Sequence, residues 1–130
     1  MSDKFQTRTA TIWRDDDGIV HVVSHEGSVV TPDAARDSLR IVHSLIAEGE
    51  QCPVLVDIRR VRSLDRKVRV LFSGPQTVRF TLAAAMVVDS PLSRMVGNFF
   101  LTLHRPPFPT RMFSSEDEAL AWLRGRRRTP

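Results

Sequence analysis

Two stretches near the N-terminus have the alternating or β-branched residues that are typical of β-strands. The stretches RTATIWR, residues 8–14, and IVHVV, residues 19–23, are both rich in residues that favour strands. The acidic segment DDDG between them has the composition of a turn, where aspartate is expected for backbone reasons. This pattern predicts a β-hairpin near the N-terminus.

After residue 30, apolar residues recur at the spacing of an α-helix. Thr31 supplies an N-cap hydroxyl, Pro32 suits the first helical position, and Asp33 complements the positive end of the helix dipole. One face of the predicted helix is apolar and carries Ala35, Leu39, Val42 and Ile46. Gly49 is expected to end this helix.

Two continuous apolar runs predict strands that are buried on both faces, as in a parallel sheet. They are PVLVDI, residues 53–58, and TLAAAMVV, residues 81–88. Between them lies a basic stretch, in which Val68, Leu71 and Phe72 suit a short helix that ends at SGP, residues 73–75.

The C-terminal third repeats the alternation of helix and strand. A helix is predicted to start at Ser90 and Pro91 and to end at RPPFP, residues 105–109. Its apolar face comprises Leu92, Met95, Val96, Phe99, Phe100 and Leu103. The segment RMF is predicted to form a short strand, and Ser115 with Glu118 forms a capping box for a last helix.

Strands that alternate with helices indicate parallel neighbours joined by crossovers. We therefore predict an α/β fold: a single-domain layer sandwich with a mixed, mostly parallel sheet of about five strands, an N-terminal hairpin and about four helices. The domain is expected to span residues 1–124, and residues 125–130 are expected to form a basic tail.

The composition excludes several classes of protein. Hydrophobic residues make up 42% of the chain and charged residues 26%, which is typical of a globular domain. The only cysteine cannot form an internal disulfide, so a reducing cytoplasmic location is expected. No apolar run has the length of a membrane helix or the features of a signal peptide.

The sequence contains no motif of a known catalytic or cofactor site. Cys/His zinc spacings, GxGxxG, GxSxG and the phosphate-binding P-loop are all missing, so we expect no enzyme activity, cofactor or metal. His43 and His104 have no acidic residue placed to orient them and are expected to be exposed. Cys52 lies near Glu48 and Glu50, whose negative charge would raise the pKa of the thiol.

The stretch after the first buried run resembles the STAS domain, the fold shared by anti-sigma factor antagonists and the cytoplasmic tails of sulfate transporters. In that family a buried strand ends in Asp or Asn, and eight residues later a second Asp opens the motif DSSG at the start of a helix. Asp57 and Asp65 hold these two places, with Val61 and Leu64 at the apolar positions between them. The resemblance implies a STAS-like fold.

The chain also resembles a set of uncharacterised bacterial STAS-like proteins that have been likened to CRAL-TRIO lipid carriers. The residues that carry this likeness are GNFF, residues 97–100, in the predicted aromatic helix. This second resemblance implies a fold and brings no established activity.

One position departs from the STAS pattern. Where the antagonists carry a phosphorylatable serine, two residues after the second Asp, this chain has Lys67, with Arg66 before it and Val68 after it. Lysine does not accept phosphate from a serine kinase, and its charge is opposite to that of a phosphoserine. The nearby hydroxyl, Ser63, lies before Asp65 and not after it. The resemblance therefore implies a domain without the phosphorylation switch.

A cluster of cations surrounds this position. It comprises Arg59, Arg60, Arg62, Arg66, Lys67 and Arg69. The cluster follows the carboxyl end of a buried strand, where open α/β sheets often bind ligands, and arginine forks suit carboxylates and phosphates. It is either an anion-accepting surface or a solvated face whose charges pair with Asp57, Asp65 or the acidic hairpin. Asp57 itself would either anchor the loop by accepting its amides or position a ligand.

These observations lead to two hypotheses about function. The first is a non-catalytic regulatory domain that binds a protein partner with an acidic surface through the two aspartates and the six cations. The alternative is a carrier or sensor of a small apolar or anionic ligand, such as a lipid or a nucleotide, built on Phe99 and Phe100, which would otherwise fill the core. Nucleic acid is not expected, because no aromatic residues interleave with the arginines. Gly97 and Asn98 within the helix suggest a homodimer.

Overall fold

The computed structural model describes residues 3–72, 74–91, 93–95, 98 and 108–126 of the chain. Within that part it contains eight strands and four helices. The strands are β1 (Phe5–Gln6), β2 (Ala10–Arg14), β3 (Val20–Ser24), β4 (Ser28–Val30), β5 (Cys52–Asp57), β6 (Val61–Leu64), β7 (Thr81–Val87) and β8 (Thr110–Phe113). The helices are α1 (Pro32–Ser44), α2 (Val68–Phe72), α3 (Pro75–Phe80) and α4 (Glu116–Arg124).

Six strands form the main sheet in the order β1-β2-β3-β5-β7-β8. The pairs β1–β2 and β2–β3 are antiparallel, whereas β3–β5, β5–β7 and β7–β8 are parallel. Leu55, in the middle of β5, is fully buried and lies in register with His21 of β3 and Ala85 of β7. The predicted α/β fold with an N-terminal hairpin is confirmed, although the main sheet has six strands and not about five.

The acidic turn of the hairpin has the structural role predicted for it. Asp15 Oδ1 accepts hydrogen bonds from the amides of Asp17 (2.9 Å) and Ile19 (3.0 Å). Gly18 has a φ of +83°, a conformation that glycine adopts without a steric penalty. The turn carboxylate of Asp15 is therefore engaged in holding the backbone.

A second, two-stranded sheet consists of β4 and β6 in parallel. Strand β6 was not predicted, because residues 61–64 were expected to belong to the basic stretch that leads into a short helix. Val61 is buried, whereas Arg62 and Ser63 are exposed, so no sustained alternation marks the strand. Its pairing partner, β4, is also short and lies far away in sequence. Helix α3 was likewise not predicted.

Helix α1 begins as predicted and ends earlier than predicted. The Thr31 hydroxyl accepts a hydrogen bond from the Ala34 amide at 3.2 Å, and Pro32 follows it as the first helical residue. The helix ends at Ser44, not at Gly49, which lies instead in a separate turn with a φ of +82°. A hydrogen bond from the Ala47 amide to Glu50 Oε1, at 3.0 Å, stabilises this turn.

Helices cover both faces of the main sheet. On one face, Val42 of α1 packs with Ile12, Val20 and Val54 of the sheet. On the opposite face, α4 packs against the sheet through Ala119 and Leu123, next to Leu55 and Ala85. A third cluster of buried residues lies under the small sheet and contains Val30, Ile58, Val61, Val68 and Val88. The chain thus forms the predicted layer sandwich.

Much of the predicted aromatic helix lies outside the described residues. This applies to Leu92, Val96, Gly97, Phe99, Phe100 and Leu103, and also to the tail beyond Arg126. Pro91, Ser93, Arg94 and Met95 do have helical backbone, and the Ser93 hydroxyl accepts the amides of Asp89 and Ser90 at 3.0 Å each. None of the helices found in the described ranges is long and apolar enough to cross a membrane.

Candidate functional site

The two aspartates of the STAS-like pattern each close a turn. Asp57, at the end of β5, accepts the amide of Arg59 at 3.1 Å, and Asp65, just after β6, accepts the amide of Lys67 at 2.8 Å. In both cases a carboxylate binds the backbone two residues further on, which is the geometry of an Asx turn. The loop-anchoring role considered for Asp57 is confirmed, and Asp65 has the same role.

Asp57 also neutralises the first cation of the cluster. It is only 6% exposed, and its two oxygens accept hydrogen bonds from Arg59 Nε (3.0 Å) and Nη2 (2.7 Å). Glu116 of α4 adds a longer ion pair, with Oε2 at 3.9 Å from Arg59 Nη2. The hydrogen bond to Asp57 raises the pKa of Arg59. Arg59 therefore has its charge balanced within the protein.

The remaining cations fall into two groups. Arg60 is exposed and forms an ion pair with Glu26 (Nε to Oε2, 3.8 Å), a weak interaction at the surface. Arg62, Arg66 and Lys67 are exposed, and no residue in the described part of the chain forms an ion pair with them. Arg69 lies on α2, but its side chain is outside the described part.

The acidic hairpin does not balance these charges. Asp15 lies against His21, with Oδ2 at 2.7 Å from Nε2, and Asp17 pairs with Arg124 at 3.0 Å. Among the cations of the cluster whose side chains are described, Arg59 forms an ion pair with Asp57, and none forms an ion pair with the acidic hairpin.

A β-bulge orients Arg62 toward the solvent. Ser28 pairs with Val61 and Val29 pairs with Ser63, so Arg62 is the residue that the register shift leaves without an opposite neighbour. Such an extra residue re-aims the side chains around it. Both Arg62 and Ser63 are consequently exposed while Val61 stays in the core.

Two exposed apolar residues adjoin these cations. Val29 is 50% exposed and is paired with Ser63 across the small sheet, and Val70 of α2, 60% exposed, lies three residues after Lys67. Val68, which lies between Lys67 and Val70 in sequence, is fully buried and packs in the core at the start of α2. We call the exposed set the basic surface; it consists of Val29, Arg62, Arg66, Lys67 and Val70.

His43 was predicted to be exposed, and this prediction was wrong. The ring is half-buried on α1 and packs against Phe80, with 3.9 Å between the ring centroids. Burial lowers the pKa of His43. The sequence did not predict helix α3, whose last residue is Phe80, so it gave no sign that His43 would be covered. His104 lies outside the described residues.

Cys52 is almost completely buried at the start of β5, with 1% of its surface exposed. Burial is the main cause that raises the pKa of its thiol to about 11, and Glu50 contributes in the same direction. The predicted direction is confirmed, while the main cause is burial and not the neighbouring charge. A thiol in this environment is a poor nucleophile.

An apolar cavity of about 150 Å³ lies on the α1 face of the main sheet. Residues from strands β2 to β8 and helices α1 to α3 line it, including Val54, Val56, Ala84, Leu39, His43 and Phe80. Sequence reasoning did not find this site, because apolar residues at regular spacing look the same whether they fill a core or surround a cavity. In the described ranges no three His, Cys, Asp or Glu residues lie close enough together to hold a metal ion.

Comparison with solved structures identifies the fold. An uncharacterised protein of the DUF3478 family with a SpoIIAA-like fold, from Shewanella loihica PV-4, is 17% identical to this chain, with a TM-score of 0.56 over 95% of this chain and 92% of that one. A protein of unknown function from Arthrobacter sp. FB24 is 28% identical, with a TM-score of 0.35 over 92% of this chain and 95% of that one. The first match confirms the STAS-like fold and says nothing about activity.

Sequence comparisons place the chain in a family. No curated protein is significantly similar to it. A family model described as a domain of unknown function, DUF7793, matches residues 12–127, which is most of the chain. The chain therefore belongs to the DUF7793 family.

Proposed function

We propose that this protein is a non-catalytic regulatory domain that binds a protein partner with an acidic surface. The observation that carries the proposal is the basic surface, in which three exposed cations without a described ion-pair partner lie next to two exposed valines. Arg62, Arg66 and Lys67 keep their charge available, whereas Arg59 is paired with the buried Asp57 and Arg60 lies near Glu26.

The backbone under the basic surface is held by several contacts, which favours recognition of a partner of defined shape. The amide of Gly27 donates to the Arg60 carbonyl at 2.9 Å, and the Asp65 amide donates to the Val30 carbonyl at 2.9 Å. Together with the two Asx turns, these hydrogen bonds limit the conformational entropy that binding would cost.

The chemistry of the surface favours a protein over other anionic ligands. The basic surface contains no aromatic ring on which a base would stack, and the valines give it an apolar component that a folded partner can cover. The interaction is proposed to be independent of phosphorylation at the STAS position, since Lys67 stands there.

Two further expectations belong to the same proposal. We propose a cytoplasmic location, where Cys52 would stay reduced. Self-association through the segment around Gly97 stays a prediction, because that segment lies outside the described residues.

Charge reversal tests the proposal. Purified protein and a triple variant, Arg62→Glu, Arg66→Glu and Lys67→Glu, serve as baits for proteins from the source cells, and the captured proteins are quantified by mass spectrometry. We expect capture of the acidic partner to fall at least about tenfold at low salt. The difference in capture between wild type and the variant should shrink at about 1 M salt, where the Debye length is only ~3 Å.

A control variant carries the same change in net charge elsewhere. Lys4→Glu, Arg79→Glu and Arg111→Glu alter three exposed cations that lie just before β1, on α3 and on β8 and that form no ion pair with a described residue. Lys4 and Arg111 lie over the rings of Trp13 and Phe113, so the folded state of this variant is checked by circular dichroism. This variant should capture the partner as wild type does. Equal loss in both triple variants would show a non-specific charge effect, and unchanged capture by the first would eliminate the basic surface.

The alternative function, a carrier of a lipid or a nucleotide, is not favoured by the cavity. Its volume of about 150 Å³ is below the ~300–1,000 Å³ typical of pockets for larger ligands. Its described lining contains no Lys, Arg, Asp or Glu that would hold a phosphate or a carboxylate head group. A small neutral molecule is the ligand class that remains compatible with it.

A further inference from the structure

The cavity on the α1 face has a nearly uniform apolar character. Valines from the four strands β3, β4, β5 and β6 line it, together with Ala84 and Met86 of β7 and with Leu39, Val42 and Phe80 of the helices. A charged ligand would have to lose its hydration there without compensation, which is costly. An apolar cavity of about this volume accommodates a benzene-sized molecule.

One polar atom in this lining has no partner. His43 Nε2 is inaccessible to solvent and forms no hydrogen bond with any described residue. Phe80 packs on the imidazole and holds its orientation. A buried nitrogen without a hydrogen bond costs free energy, so a ligand group that bonds to His43 Nε2 would recover that cost on binding.

We propose that the cavity binds a small neutral ring compound that carries one hydroxyl or N–H group, of the phenol or indole class, through a hydrogen bond to His43 Nε2. The ring fills the apolar volume between α1 and the sheet, and the single polar group satisfies the imidazole. A ligand hydroxyl suits either tautomer, because Nε2 can donate to its oxygen or accept its hydrogen, whereas an N–H group requires the tautomer in which Nε2 accepts. Burial lowers the pKa of His43 and so favours the neutral imidazole that a neutral ligand requires.

Phenol and toluene are the probes, because they have nearly the same size and differ in the hydroxyl group. Their dissociation constants are measured by calorimetry with wild type, His43→Leu and His43→Gln. We expect wild type to bind both, and His43→Leu to raise the ratio of the phenol to the toluene constant at least about fivefold, since the hydroxyl is then buried without a partner. His43→Gln keeps a hydrogen-bonding group and should change the ratio much less.

Two controls separate this site from other effects. Ala84→Leu reduces the cavity volume and should abolish binding of both probes, while circular dichroism shows that the variant is folded. The triple variant Arg62→Glu, Arg66→Glu and Lys67→Glu should bind both probes as wild type does, because these three side chains are exposed and none of them lines the cavity.

Several results would overturn the inference. Failure of wild type to bind either probe would show that the cavity is not a site for compounds of this class. A phenol-to-toluene ratio that is the same in wild type and in folded His43→Leu would remove His43 as the anchor. Neither result would affect the proposed binding of a protein partner, which is tested by capture and not by these probes.

Discussion

Arg59 forms a bidentate salt bridge with the carboxylate of Asp57 at the end of β5, with Nε 3.0 Å from one oxygen and Nη2 2.7 Å from the other. The same carboxylate accepts the Arg59 amide at 3.1 Å. The first aspartate of the STAS-like pattern is therefore occupied within the protein. The proposed docking surface starts beyond this pair, at Arg62.

The substitution Asp57→Asn should destabilise the fold by about 1–3 kcal/mol, because a neutral amide would leave the partly buried Arg59 with only the longer ion pair to Glu116. The amide oxygen of asparagine can still accept the Arg59 amide, so the turn itself is expected to survive. Urea unfolding followed by circular dichroism measures the loss.

Asp65→Asn is the matched control. Asp65 makes the same backbone turn, but it is exposed and forms no ion pair with a described residue. Its replacement should cost no more than about 0.5 kcal/mol. If both variants lose the same stability, the Asp57–Arg59 ion pair contributes nothing beyond the turn.

Val68 and Val70, both on α2, separate stability from recognition. Val68→Ala should cost about 1–3 kcal/mol, because Val68 is fully buried under the small sheet. Val70→Ala should change stability by less than about 0.5 kcal/mol, because Val70 is 60% exposed, yet it should weaken capture of the proposed partner. Thermal unfolding and the capture experiment give the two readouts. A Val70→Ala variant with wild-type capture would remove the apolar part of the basic surface.

The fold could be predicted where the signals were local and strong. The Thr31 cap, the DDDG turn and the apolar runs of β5 and β7 each act through neighbouring residues, and the structure confirms all of them. The pattern of apolar and polar residues did not predict β6 or α3. Strand β6 has four residues and a bulge, and it exists because β4 pairs with it, so nothing in its own sequence distinguishes it from a loop.

The candidate site could be predicted only as a cluster of charges. Sequence shows that six cations are close together, but the partners of Arg59 and Arg60 depend on geometry, since Glu116 and Glu26 come from distant parts of the chain. The covered position of His43 depends on Phe80 in the same way. These contacts are tertiary, and residue patterns along a single chain do not contain them.

The thiol of Cys52 should be protected from reagents in the folded protein. Burial raises its pKa to about 11, so at pH 8 the folded thiol is ionised roughly 100-fold less than a free one, and reagents also cannot reach it. We expect the thiol to react with a disulfide reagent such as DTNB at least about 100-fold more slowly in buffer than in denaturing urea. Equal rates in the two conditions would mean that the start of β5 opens readily.

Arg14 of β2 joins the sheet to the end of α1. Its Nη1 and Nη2 donate to the two oxygens of Glu50 at 2.9 and 2.7 Å, and Nη1 also donates to the Leu45 carbonyl at 3.0 Å. The hydrogen bond from Arg14 is the main cause that lowers the pKa of Glu50 to about 2, and the amide of Ala47 adds to it.

This pair predicts a dependence of stability on pH. The pKa of Glu50 is lower in the folded than in the unfolded chain, so its contribution is fully present above pH ~4.5 and is lost as the pH falls towards about 2. Because the side chain is 36% exposed and screened by solvent, we expect Glu50→Gln to cost only about 1 kcal/mol at pH 7. The difference from wild type should narrow steadily below pH ~4.5, as measured by urea unfolding at several pH values. Glu48→Gln, an exposed neighbour without a described ion pair, should follow wild type throughout. A Glu50→Gln deficit that is undiminished at pH ~2 would show that packing and not charge is responsible.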